Sequence, residues 1–334
     1  MQNVFDRPEF NMAALTAAIN KLPNKVGRVT DMKLFTDKGV ATTAIQVEER
    51  ERTLKLLPTV QREAPAPQNL SQRRKLRSFA MPTIKLEDSV LPADAQNLRA
   101  FGSDNATESI FGIVADKLQE MRDKFDQTLE YMRVNALRGI LKDGSGTTLY
   151  NFYDEFEITP KAVGFALNNN ATEVLEKCHE ISRHIEANLK GERMSSVRAL
   201  VGQTFFDKLV THPKVKEAYT YFLSNQRLGE DYRKGFSFGG ITFEEYLGTV
   251  TLSTGSTAKI VGDDEALIYP MGTSSTFQTV YAPGNFVETV NTIGLPFYAK
   301  QEARRFGQGI DLYAETNPLP ICFRPEVLVA GARI

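Results

Sequence analysis

Residues 105–141 read NATESIFGIVADKLQEMRDKFDQTLEYMRVNALRGIL. Apolar side chains recur at Ile110, Val114, Leu118, Met121, Phe125, Leu129, Met132, Ala136 and Ile140, in steps of four, four, three, four, four, three, four and four. That pattern is one face of an α-helix held for about ten turns. Asn105 is a good N-cap and Glu108 stands three residues on, the capping-box arrangement. Lys142, Gly144 and Gly146 supply a stop. The spacing predicts a helix over 105–141 whose buried face is carried by Ile110, Val114, Leu118, Met121, Phe125, Leu129 and Met132. At ~1.5 Å per residue it would run roughly 55 Å. A compact chain of this length is only about 50 Å across. The helix is therefore a spine that crosses the whole molecule. A coiled coil is the competing reading, but the helix is single and its other face is polar.

Working outward toward the N-terminus, residues 1–38 read as an arm. Leu15, Ile19 and Leu22 give one short helix, ended by Pro23-Asn24. An arm with so little apolar surface cannot repay its ordering entropy alone, so it must lie on something. Residues 39–95 read as a long charged β-hairpin. Val40 to Val47 is rich in β-branched residues, Thr53 to Leu57 is a second strand, and Ser78 to Leu86 is the returning strand. Between them lie the charged block Glu48-Glu49-Arg50-Glu51-Arg52, three prolines, and the basic cluster Arg73-Arg74-Lys75-Leu76-Arg77. A two-stranded excursion of this kind is marginal in water unless another surface supports it. Glu48, Glu49, Arg50, Arg52, Arg73, Arg74, Lys75 and Arg77 are the candidate intersubunit contacts, with non-specific phosphate contact the weaker alternative for Arg73, Arg74, Lys75 and Arg77.

Beyond the spine, residues 147–160 read as an aromatic hairpin. Thr172 reads as the cap of a helix over 173–190. Residues 193–300 alternate strand and helix signals, as in an α+β or mixed domain. Strands at Ile310–Glu315 and Glu326–Ala330 return to the spine-helix domain. The expected organisation is an arm (1–38), a hairpin (39–95), a spine-helix domain (96–192), a mixed domain (193–300) and a return (301–334).

Composition narrows the function by exclusion. The 334 residues include 40 Lys+Arg and 41 Asp+Glu, a net charge of −1, with 42% hydrophobic residues, two cysteines, three histidines and no tryptophan. Disordered and fibrous classes are excluded. No run is apolar enough to span a membrane, and the first residues lack the pattern of a secretory signal. Two cysteines cannot make a disulfide framework, so synthesis in a reducing cytoplasm is expected. The near-zero charge hides a split. Residues 1–100 carry 16 basic and 11 acidic residues, and the remainder 24 and 30. A positive N-terminal third against a negative body suits chains that lay this third on neighbours.

The search for chemistry is largely negative. Cys178, His179 and His184 share one helix without the spacing that stacks side chains on one face, so a metal site is not expected. There is no P-loop, no GxGxxG and no GxSxG elbow. The expectation is a protein that is not an enzyme and that needs no cofactor.

The order of parts is itself a signature. The matching stretches run through Leu15-Thr16, Ile19-Asn20, Leu22-Pro23-Asn24 and Gly27-Arg28. They continue at Leu56-Leu57-Pro58-Thr59 before Arg62, at Met81-Pro82, and at Arg99, Phe101 and Gly102. Thr128-Leu129-Glu130-Tyr131 and Ala136-Leu137-Arg138-Gly139 close the helix, and Leu319-Pro320-Ile321 and Arg324-Pro325-Glu326-Val327 stand near the end. In these respects the chain resembles the lambda-type major capsid protein family (family E) of tailed phages, which has the Hong Kong 97-type capsid fold. The resemblance implies an α+β subunit with an N-terminal arm, an E-loop hairpin, a P-domain holding the spine helix and a mixed A-domain. It implies self-assembly into pentamers and hexamers of an icosahedral shell around packaged double-stranded DNA, contacted non-specifically. It further implies a scaffolding protein, a portal and a decoration protein as partners, no membrane partner, and a place in the virion capsid after synthesis in the host cytoplasm. An encapsulin-like compartment shell and a soluble enzyme with no recognisable site remain the alternatives.

Overall fold

The computed structural model describes residues 11–22, 27–50, 74–96, 106–222 and 232–334. The spine is a 32-residue helix, Ala106–Leu137, about 48 Å long at ~1.5 Å per residue. Val114, Leu118, Met121, Phe125, Leu129 and Met132 are all buried along it, as the periodicity requires. Asn105 and the side chain of Ile110 lie outside the described residues.

The helix stops four residues short of the expected 141. The Arg138 N–H bonds the Asn135 carbonyl at 2.9 Å and the Gly139 N–H bonds that of Ala136 at 3.0 Å, so the last turn tightens. Gly139 then takes φ +75, and a Cβ there would stand 2.3 Å from the Tyr153 ring. Only glycine fits this exit. Ile140–Lys142 therefore becomes a strand, paired with Thr148–Asn151. Ile140 keeps helical spacing in the sequence while the backbone has already turned. Phe152–Glu155, expected to be extended, is a helical turn whose Asn151 side chain accepts from the Tyr153 N–H.

The spine runs through two separate cores. Its first half packs Val114, Leu118, Met121 and Phe125 against Leu15 and Ile19 of the arm and against Val90, Ala299, Ile310, Leu312 and Ala314. Those last residues line one face of an antiparallel sheet of Tyr298–Ala303, Ile310–Thr316 and Ile84–Val90. Its second half enters the larger core with Met132, Val134, Ala136 and Leu137. There it meets a sheet of Thr36–Gly39, Phe277–Tyr281 and Pro318–Cys322.

The remaining body is a mixed six-stranded sheet. Its order is Lys161–Gly164, Val329–Ala332, Glu265–Met271, Ser196–Val201, Ile241–Glu245 and Phe236–Phe238. Helices Val174–Asn188, Gln203–Thr211 and Pro213–Phe222 accompany it. Thr172 is not the cap of the first of these; the N-cap is Glu173, and the Thr172 hydroxyl donates to the Ala166 carbonyl at 3.0 Å.

Three expectations are corrected by this topology. The strand expected over 78–86 is two strands, Arg74–Ala80 and Ile84–Val90, separated by Met81-Pro82-Thr83. Pro82 has no N–H to give a ladder. Beyond it, Ile84, Leu86 and Val90 face the spine, so burial draws this segment to Ile310–Thr316 and out of the hairpin. The sheets also cross the expected boundaries at 193 and 300. Lys161–Gly164 and Val329–Ala332 join the central sheet, and Phe277–Tyr281 leaves it. Finally, the arm helix Met12–Lys21 lies on its own chain. Asn11 caps it through the Ala14 N–H at 2.8 Å. Asn20 Nδ2 donates to the Phe297 carbonyl at 2.8 Å, and the Ala299 N–H donates to Thr16 Oγ1 at 3.1 Å.

Candidate assembly surfaces

Two features frame the candidate surfaces: the hairpin base, which carries the exposed Leu76, and a buried polar latch that fixes the arm to the body.

Ala44–Arg50 pairs antiparallel with Arg74–Ala80, placing Ile45 opposite Phe79 and Val47 opposite Arg77. The alternation is that of a strand with one covered face. Phe79 is fully buried, edge-on to Tyr150 and Phe152 and stacked on Phe156 at 5.8 Å. Tyr150 Oη donates to the Ala80 carbonyl at 2.9 Å. Arg77 belongs to this anchor. Its guanidinium lies 5.2 Å from the centre of the Phe156 ring, donates to the Glu155 carbonyl, and stands 3.8 Å from the Glu157 carboxylate. Arg77, expected to reach outward, is thus engaged within the chain, because its place in the alternation puts it on the same face as Phe79. Leu76 points the other way and is exposed. In the ladder Glu48 stands opposite Leu76, Glu49 opposite Lys75 and Arg50 opposite Arg74. Of these three register pairs only Glu49 with Lys75 is of opposite charge. Arg52 and Arg73 lie outside the described residues. An open cleft of about 930 Å³ separates the hairpin from the body, lined in part by Val40, Ile45, Val47, Phe323 and Arg324.

The arm is fastened by buried charges. Glu130, on the spine, accepts from the Val29 N–H at 2.7 Å, the Thr30 N–H at 3.2 Å and Thr30 Oγ1 at 2.9 Å. A carboxylate at the N-terminus of the helical turn Arg28–Asp31 satisfies donors that the turn cannot bond itself. Arg28 forms a two-pronged pair with Glu244 of the central sheet, and Arg198 stands 3.7 Å from the same carboxylate. Hydrogen bonding to Glu244 holds the Arg28 guanidinium above its ordinary pKa. Arg133 donates to Thr279, Thr30 and Asp37, the last at 2.6 Å. Arg122 donates to the Ile19 carbonyl at 2.6 Å and lies 4.0 Å over the Phe297 ring. At the end of the spine, Arg138 grips both oxygens of Glu265 at 2.7 Å. Burial alone would raise the Glu265 carboxyl, but Arg138 and the Gly262 N–H outweigh it and hold it below the usual range. None of these residues was singled out from the sequence as a group. Glu130 and Arg138 sit in matched stretches, but nothing in one chain's order says that Arg28 will meet Glu244.

Glu192 plays a similar part beside the hairpin cleft. It accepts from Ser274 Oγ, the Ser275 N–H and Thr276 Oγ1 at 2.6–2.9 Å and pairs with Arg324 at 2.9 Å. Burial opposes its ionisation, and these donors overcome that opposition and lower its pKa.

The cysteine and histidine residues do not gather. Cys178 and Cys322 are buried free thiols, and burial pushes the first up to about 12. His184 Nε2 contacts the Glu326 carbonyl at 3.0 Å and His212 Nε2 that of Asn169 at 3.0 Å. Among the described residues no cluster of His, Cys, Asp and Glu could hold a metal ion, and no helix is long and apolar enough to cross a membrane.

The sequence model of the family described as phage major capsid protein E matches residues 11–333. The major capsid protein of Salmonella phage Felix O1 (isolate Felix O1-VT1) is 27% identical over 354 residues, covering 97% of this chain and 96% of that protein. The major capsid protein of Pseudomonas phage KPP10 is 28% identical over 339 residues, with 96% of each chain covered. Among solved structures, one described as a prophage capsid protein from Escherichia coli CFT073 superposes with a TM-score of 0.60 at 16% identity. That superposition covers 97% of this chain and 99% of the other.

Proposed function

The chain belongs to the phage major capsid protein E family, and from that premise we propose how its surfaces build a shell. It is a major capsid protein of the tailed-phage type with the Hong Kong 97-type fold. In this reading the subunit forms pentamers and hexamers that close an icosahedral shell around double-stranded DNA. The spine-helix layer serves as the P-domain, the six-stranded sheet with its helices as the A-domain, and the hairpin on Ala44–Arg50 and Arg74–Ala80 as the E-loop.

The observation that carries the reading is the family match across residues 11–333, on a subunit whose hairpin is anchored at its base by Phe79. A charged ladder leading away from a fixed aromatic anchor suits contact with a neighbour, whose long-range charges set register more than affinity. Glu48, Glu49, Arg50, Arg74 and Lys75 are the described positions assigned to that contact; Arg77 serves the anchor. The subunit has a structural and non-enzymatic role, needs no cofactor, and is carried in the virion after synthesis in the host cytoplasm. Scaffolding, portal and decoration proteins are its further partners, and DNA is contacted without sequence preference.

Electron microscopy of the purified full chain tests the reading. Closed shells or five- and six-fold capsomers are expected. A population of small soluble oligomers at every ionic strength would overturn it.

A further inference from the structure

The small sheet beside the spine carries an exposed apolar feature at each end, and the two differ. At one end, Ala303, Ile310 and Val90 stand side by side, and the turn joining the first two projects Phe306. Phe306 is 95% exposed. It has φ +60, a conformation that a large side chain rarely adopts. The turn is fixed from both sides: the Arg304 N–H bonds the Gly309 carbonyl at 3.0 Å and Arg304 Nε bonds Asp311 at 2.7 Å. The aromatic ring is therefore held out on a firm support.

At the other end, the chain entering Tyr298 presents Val287, Val290 and Ile293, which are 88%, 66% and 69% exposed. This segment is also pinned. Phe286 meets the Tyr313 ring edge-on at 5.7 Å, the Gly294 N–H bonds the Val40 carbonyl at 2.8 Å, and the Leu295 N–H bonds Tyr298 Oη at 2.8 Å. Clustered apolar side chains on a rigid, exposed segment mark an interaction site. The two ends are one strand length apart, roughly 20 Å, so neither can cover the other within one subunit.

We propose that Phe306 of one subunit docks on the Val287, Val290 and Ile293 face of a second copy. A projecting side chain at one end and three exposed apolar side chains within seven residues at the other make a heterologous pair, the kind that generates rings and shells. Charge agrees: the exposed Arg305 adjoins Phe306, and Glu288 lies within the receiving segment, 2.7 Å from Lys300. The assignment rests on the shell-forming reading, which supplies the second copy as partner.

Disulfide trapping in assembled particles tests it. The native thiols Cys178 and Cys322 are buried, so the oxidised wild-type chain should run as monomer on a non-reducing denaturing gel. Phe306→Cys combined with Val287→Cys or with Ile293→Cys should give a ladder of linked chains. Each single variant should stay monomeric, and co-assembled single variants should give dimers only. Dimers from Phe306→Cys alone would mean tip-to-tip contact and would overturn the proposal, as would assembled double variants without links. Phe306→Ala should leave the melting temperature of the free subunit unchanged and reduce particle yield at least tenfold, with Phe306→Leu restoring much of it; undiminished yield from Phe306→Ala would also overturn it. Absence of particles from the wild-type chain would instead count against the shell reading itself.

Discussion

The two halves of the spine helix are built on different physics. From Val114 to Phe125 the buried face meets leucine, isoleucine, valine and alanine of the arm and the small sheet, with the buried Arg122 beside them. From Glu130 to Arg138 the same helix buries or half-buries Glu130, Arg133 and Arg138 and pairs each with a distant segment. The apolar half tolerates changes of shape at the cost of packing. The polar half depends on every partner being present, because an unpaired buried charge costs far more than a lost contact. Apolar packing and a few hydrogen bonds to Thr16, Ile19 and Asn20 fix the arm helix, whereas carboxylate–donor and guanidinium–carboxylate bonds fix the turn at 28–31 and the central sheet to the spine.

Variants separate the two halves, from the largest effect downward. Phe125→Asp puts a charge into the apolar half, opposite Phe297 at 5.8 Å, and should abolish folding. Circular dichroism of the expressed chain would show it, and a cooperative native-like melt would break the comparison. Glu130→Ala strands the Val29 and Thr30 donors and should cost about 2–4 kcal/mol. Denaturant unfolding should then find early protease cleavage near residues 27–33. Loss spread evenly over the whole chain would mean that the carboxylate is not a local latch.

Acid should weaken the Glu265 pairing at the end of the polar half and that of Glu192 beside the hairpin cleft. The folded Glu265 and Glu192 carboxyls lie below their ordinary value of 4.5. Their pairing therefore stabilises the fold above that value and is lost as pH falls through the lower, folded values. The melting temperature should decline from about pH 5 downward, and Glu265→Gln should flatten that decline. An unchanged acid profile for Glu265→Gln would assign the acid sensitivity elsewhere. Arg77→Ala should loosen the hairpin base at a cost of about 1 kcal/mol, visible as faster amide exchange over 74–80 with little change in global unfolding. Smallest in its effect on the subunit, Arg74→Glu should melt like the wild type yet impair shell closure. An insoluble, unfolded product would contradict a role for Arg74 between subunits.

Much of the architecture was legible in the sequence because it is periodic. The spine's apolar positions follow from spacing alone, and a helix over Val174–Asn188 stands where one is expected at 173–190. The same reasoning overran at Ile140, since spacing cannot register that Gly139 has turned under the Tyr153 ring. It merged Arg74–Ala80 with Ile84–Val90, since both alternate and only their partners distinguish them. At the candidate surfaces the charged hairpin was found by composition. Strand parity, set by the pairing of Val47 and invisible in composition, decides that Arg77 turns toward the Phe156 ring. The exposed Phe306 left no sequence signal at all, because one phenylalanine among 21 looks like core.

By itself the sequence determined that a long spine helix is present, where the chain is charged, and that it lacks the motifs of common catalytic sites. Those properties depend on neighbours a few residues away and on side-chain chemistry. Only the tertiary structure decided which strand joins which sheet, that the arm helix lies on its own spine, that Arg28 meets Glu244 across 216 positions, and which apolar side chains stay outside. These depend on contacts between segments distant in sequence, and such contacts are chosen by the joint burial of both partners, which neither segment encodes alone.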